Sequence, residues 1–138
     1  MGQIIAIDYG KARCGVAATD DMKIIASGLD TVETRFLMDF LKKYTVENSV
    51  EAIVVGLPVD LKGNISEVET DILGFIENFN KEFPQIEVHR LDERFTSKMA
   101  SFFISQSGKS KKQRQQKGLI DKVSATIILQ NFLEQKIR

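Results

Sequence analysis

Residues 1–20 read MGQIIAIDYGKARCGVAATD, and the architecture follows from how this stretch is parsed. An apolar run from Ile4 to Ile7 stops at Asp8, then come Tyr9 and Gly10, then a second run from Cys14 to Ala18. Short apolar runs bounded by turn residues read as strands, and the YGKA turn between them makes Gln3–Asp8 and Arg13–Thr19 a hairpin. The first strand reads as buried, yet it ends on a carboxylate. Burying a carboxylate is costly unless an ion partner or a metal replaces its water. Taken alone, Asp8 either caps the Tyr9-Gly10 turn or ligates something.

Outward from this hairpin, Lys23–Ser27 is a candidate third strand after the polar turn Asp20-Asp21, completing an antiparallel meander. Phe36, Leu37, Phe40, Leu41 and Tyr44 recur at helical spacing. Glu51–Val55 reads as a strand that runs into Gly56-Leu57-Pro58, which most simply turns the chain. Ser66-Glu67-Val68-Glu69 has the form of a capping box, and Val68, Ile72, Phe75, Ile76 and Phe79 continue one helical face. After Pro84, Ile86–Leu91 alternates as a strand that ends at Asp92-Glu93-Arg94. Thr96 caps a further helix through Ile104, and a last helix spans about Leu119 to Gln135. The order β-β-β-α-β-α-β-α-α predicts an α/β fold with a mixed five-stranded sheet, three antiparallel strands then two parallel, and helices on its faces.

The composition is that of an ordinary globular protein, 43% hydrophobic and 28% charged, and 138 residues are most simply one domain, 1–138. No apolar run approaches the ~20 residues of a membrane span, and no secretory signal is visible. The one cysteine, Cys14, cannot form an internal disulfide, which fits a reducing cytoplasm. Acidic and basic residues balance at 19 each, but they are segregated: KSKKQRQQK, residues 109–117, carries five bases and no acid. Such a segment is commonly a solvated loop. It also suits a phosphate chain, where lysines and arginines release counterions, so a nucleic-acid partner is expected and a membrane is not. His89 reads as an ordinary strand residue. SGKSKK contains Gly-Lys-Ser, but position 103 is Phe where a P-loop needs glycine.

Asp8 and the pair Asp92-Glu93 end strands, where ligands gather in open α/β sheets. Asp121 falls near the start of the last helix, and the small Ser124 and Ala125 after it let that helix lie close to the sheet. Three carboxylates brought together repel one another unless a cation neutralises them, and hard oxygen donors select Mg²⁺ or Mn²⁺. Two such ions serve in-line phosphoryl displacement.

IAIDYGKARCGVA, VVGLP followed by KGN, LDERFTS and IDKVSATIILQNFL, in this order, resemble the YqgF (RuvX) family, the Holliday-junction-resolvase-like branch of the RNase H-like superfamily. The resemblance covers nearly the whole chain. It implies an RNase H-like sheet and a nuclease using divalent metal, with trimming of the 5′ end of pre-16S ribosomal RNA as the role and DNA junction cleavage as the alternative. The family's metal-binding acids fall on Asp8, Glu93 and Asp121. Adjacent strand residues face opposite ways, so Asp92 is the second choice to Glu93. Arg13 and Arg94 match basic positions suited to phosphate oxygens, and Lys109, Lys111, Lys112, Arg114 and Lys117 are further candidates for the substrate strand. The first loop reads GKAR where the family usually has threonine-lysine-arginine, and Ser124 stands where alanine is usual.

Two other classes compete. A sugar-kinase or actin-like ATPase also begins with strand–Asp-x-Gly and a hairpin, but it needs a second such domain that this chain lacks. A non-catalytic ribosome-assembly module would keep the fold without turnover. Monomer and homodimer are both compatible with the pattern.

Overall fold

The chain orders its strands and helices as β1 (Gln3–Asp8), β2 (Arg13–Thr19), β3 (Ala26–Glu33), α1 (Leu37–Glu47), β4 (Val50–Leu57), α2 (Val68–Glu82), β5 (Glu87–Asp92) and α3 (Lys117–Ile137). The computed structural model describes residues 2–20, 26–59, 62–92 and 117–137, the last helix with side chains over 123–134. The helix expected to begin at Thr96 and the basic segment before Lys117 lie outside the described residues. The strands form one sheet in the order β3-β2-β1-β4-β5. β1–β2 and β2–β3 pair antiparallel, and β1–β4 and β4–β5 pair parallel. This is the mixed sheet that the β-β-β-α-β-α-β order predicts.

β1 and β4 are central and carry apolar side chains on both faces, so each reads as a continuous run instead of an alternation. Ile5, Ile7, Cys14, Val16, Ile53 and Val55 join Leu37 and Leu41 of α1 and Ile72, Phe75 and Phe79 of α2 in one buried cluster. Ile4, Ala6, Ala17, Ala52, Val54 and Leu91 join Ala125, Ile128, Leu129 and Leu133 of α3 in the other. The two clusters lie on opposite faces, as the period-two alternation of a strand requires. Residue size separates them further. Bulky side chains fill the α1–α2 face, whereas alanines line much of the α3 face, so α3 packs close to the sheet. Phe75 and Phe79 of α2 and Phe83 just past its end pack in sequence as tilted rings, at centroid separations of 5.9 and 4.9 Å.

The structure corrects two local expectations. The third strand, expected over Lys23–Ser27, runs on to Glu33: Ala26–Glu33 pairs with β2 from Thr19↔Ala26 to Arg13↔Glu33, and residues 21–25 lie outside the described residues. It is an edge strand, largely exposed, and a register irregularity follows Val16; the register steps from Asp30 to Gly28. An exposed, bulged edge shows no clean alternation, so hydrophobicity alone does not reveal that the strand continues through Leu29–Glu33. The capping box also fails. The Ser66 amide donates to the Pro58 carbonyl at 2.8 Å, and the Glu69 carboxylate turns away to an arginine. Only a long contact, 3.4 Å from the Val68 amide to Ser66 Oγ, survives of the cap.

Candidate active site at the carboxyl edge of the sheet

The three parallel strands end along one edge. Ile7 is level with Val55, Val55 with Arg90, and Leu57 with Asp92, so Asp8, the Gly56-Leu57 corner and Asp92 stand in a row. Alternation assigns each a face. Asp8 follows Ile4 and Ala6 and therefore lies on the α3 face, half-buried. Its partner across β2 is Gly15. On its other side Gly56 follows Ala52 and Val54 on the same face. Asp8 thus stands between two residues without side chains. Glycine in a strand commonly marks a place where a ligand or another backbone approaches closely. Neighbouring strands are about 4.8 Å apart, so side chains from β1 and β5 must converge across roughly 10 Å, over β4. A glycine at that crossing puts no side chain of β4 between them. A hard carboxylate donor with no strand side chain on either side of it fits a divalent cation.

Arg13 lies with Gly15 and Ala17 on the α3 face of β2, the same face as Asp8. Asp92 alternates to the other face, with Val88 and Arg90, and is exposed. Asp121 belongs to α3, which packs on β1, β2 and β3. Glu93, Arg94, Lys109, Lys111, Lys112 and Arg114 lie outside the described residues, as do the side chains of Lys117 and Asp121. Among the described residues no group of three His, Cys, Asp or Glu is placed to hold a metal. Glu93 and the side chain of Asp121 are not among them.

Two clamps hold this edge in shape. At the β1–β2 turn, Thr34 donates through Oγ1 to the Gly10 carbonyl at 2.7 Å and through its amide to the Ala12 carbonyl at 3.0 Å. A Cβ at Gly10 would stand 2.6 Å from the Arg13 carbonyl oxygen, so glycine is required for the turn to close. Gly10→Ala is expected to cost about 1–3 kcal/mol, the usual range for overpacking, read as a lower urea midpoint with an unchanged m-value. At β4, Arg90 donates through Nε to the Val55 carbonyl and through Nη2 to the Gly56 carbonyl, both at 3.1 Å. The same guanidinium takes both Glu69 oxygens, at 3.0 and 2.6 Å. Strand β5, the corner of β4 and the first turn of α2 are thereby joined at one residue. Neither Thr34 nor Arg90 stands out in the sequence; a lone arginine in a strand carries no motif.

Tyr9 follows Asp8 and packs its ring on Phe75, 5.6 Å between centroids. Burial, with smaller contributions from Cys14 and Asp71, pushes its phenol above the ordinary value. It therefore stays protonated at neutral pH, and it packs against the α1–α2 cluster, on the face of the sheet opposite Asp8.

The family model described as "RuvX: Holliday junction resolvase" matches residues 2–135. A protein of Flavobacterium johnsoniae named "Putative pre-16S rRNA nuclease" is 53% identical over 136 residues, covering 99% of both chains. Like-named proteins of Bacteroides fragilis and Porphyromonas gingivalis are each 46% identical, over 99% of both chains and 100% of both chains respectively. The fold is similar to that of the fowlpox virus resolvase solved with Holliday junction DNA, with a TM-score of 0.59 at 13% identity over 99% of each chain. With a family match over almost the whole length and end-to-end relatives near half identity, the chain belongs to the RuvX family.

Proposed function

We propose that residues 1–138 form one divalent-metal-dependent nuclease domain that trims the 5′ end of the 16S ribosomal RNA precursor in the cytoplasm. The observation that carries this reading is Asp8: an acid at the end of the central strand, on the face covered by the helix that holds Asp121, with glycine on both sides. Asp8, Glu93 and Asp121 hold the cations, and Asp92 is set aside because its alternation points it to the Arg90 face. Mg²⁺ or Mn²⁺, as a pair, supplies activation of the attacking water and neutralises charge on the scissile phosphate. Arg13 and Arg94 hold phosphate oxygens. Lys109, Lys111, Lys112, Arg114 and Lys117 bind the strand beyond the cleavage point through salt-sensitive contacts. Among the described residues no helix is long and apolar enough to cross a membrane. The relatives' names support the RNA substrate.

The test compares two substrates. With Mn²⁺, the protein is expected to shorten 16S RNA carrying a 5′ extension, read by primer extension, and EDTA is expected to stop it. A four-way DNA junction should be cut more slowly. The description of the matching family favours a second reading, a DNA resolvase, and faster cutting of the junction would establish it. Binding of RNA without cleavage under any divalent metal would leave an assembly module instead.

A further inference from the structure

Ser124 is 2% exposed, in α3, and its hydroxyl oxygen has no hydrogen-bond partner among the described residues. A buried hydroxyl without a partner forfeits its hydration for nothing in return. The usual remedy for serine inside a helix is a bond to the carbonyl four residues back, and that bond is absent here. Packing does not require the hydroxyl either. The neighbouring Ala125 is fully buried against the same alanine-lined sheet face, and an alanine at 124 would fit it as closely. The hydroxyl stands one turn after Asp121 on the helix that covers Asp8's face of the sheet.

We propose that Ser124 is a positioning residue of the cation site: its hydroxyl donates to a carboxylate of the cation-binding set, Asp121 being the nearest along the helix, once the site is loaded. The inference rests on the reading of Asp8 and Asp121 as cation ligands. Carboxylates that ligate a metal are themselves held by hydrogen bonds, and loss of such a partner typically lowers metal affinity about 10–100-fold. Ser124 would then cost stability in the empty protein and recover it on loading.

Calorimetric titration of the full chain with Mn²⁺, without any nucleic acid, tests this. Ser124→Ala is expected to bind Mn²⁺ about 10–100-fold more weakly. Its melting temperature without metal should hold or rise, because an unpaired hydroxyl has been removed. Ser124→Cys, which keeps the volume but donates weakly, should lose affinity in the same direction. Equal Mn²⁺ affinity in wild type and Ser124→Ala overturns the proposal. So does an affinity loss that only follows a fall in metal-free melting temperature, which would mark the hydroxyl as structural. The nuclease reading fails separately, through wild-type protein that takes up Mn²⁺ yet leaves both nucleic acids intact.

Discussion

Asp8→Asn is expected to lower RNA cleavage about a thousandfold, equivalent to about 4 kcal/mol of transition-state stabilisation, with little change in melting temperature without metal. Asparagine keeps the shape of the side chain and removes the charge. The half-buried position between Gly15 and Gly56 is retained, so the sheet edge should fold as before. What is lost is a hard anionic donor, and a neutral amide oxygen replaces it poorly at a divalent cation. Initial rates on 5′-extended 16S RNA give the kinetic part. The rise in melting temperature on adding Mn²⁺ gives an independent part, since a ligand that binds only the folded state stabilises it by mass action. Wild type should show that rise and Asp8→Asn should lose most of it. Equal residual cleavage by the two proteins would remove Asp8 from the site and the nuclease reading with it.

Arg90→Met should be the most damaging substitution to stability at this edge, by about 2–3 kcal/mol, or roughly 6–12 °C in melting temperature for a chain of this size. Methionine fills much of the volume, so the loss is electrostatic. Glu69 would be left about one-sixth exposed with neither of its Arg90 contacts, and the carbonyls of Val55 and Gly56 would lose a donor each. The pair is partly screened, which keeps the figure below that of a fully enclosed ion pair. Changing Glu69→Leu in the same chain should restore part of the loss, because removing both charges is cheaper than stranding one. If the double variant is as unstable as the sum of the singles, the pair contributes nothing as a pair. Cleavage should fall further than stability accounts for, since the corner at Gly56 borders Asp8.

The sequence by itself determined the local elements wherever burial was asymmetric or complete. The Ile4–Ile7 run, the Val68–Phe79 stripe and the alternation after Pro84 each correspond to an element because water exclusion imposes a period on them. The order of those elements then left one economical topology, and the acids at strand ends followed from it. Tertiary structure alone decided what pairing and contact assign. β3 runs over Ala26–Glu33 because β2 offers it hydrogen bonds, not because its own residues favour a strand. Glu69 serves Arg90, far along the chain, in place of the local cap that its spacing suggests, because a bidentate guanidinium competes better for a carboxylate than one exposed amide. Asp8 acquires neighbours without side chains only when strands distant in sequence set Gly15 and Gly56 on either side of it. Side-chain period is a local property of the chain; register, and with it what stands beside a given carboxylate, exists only once the strands have paired.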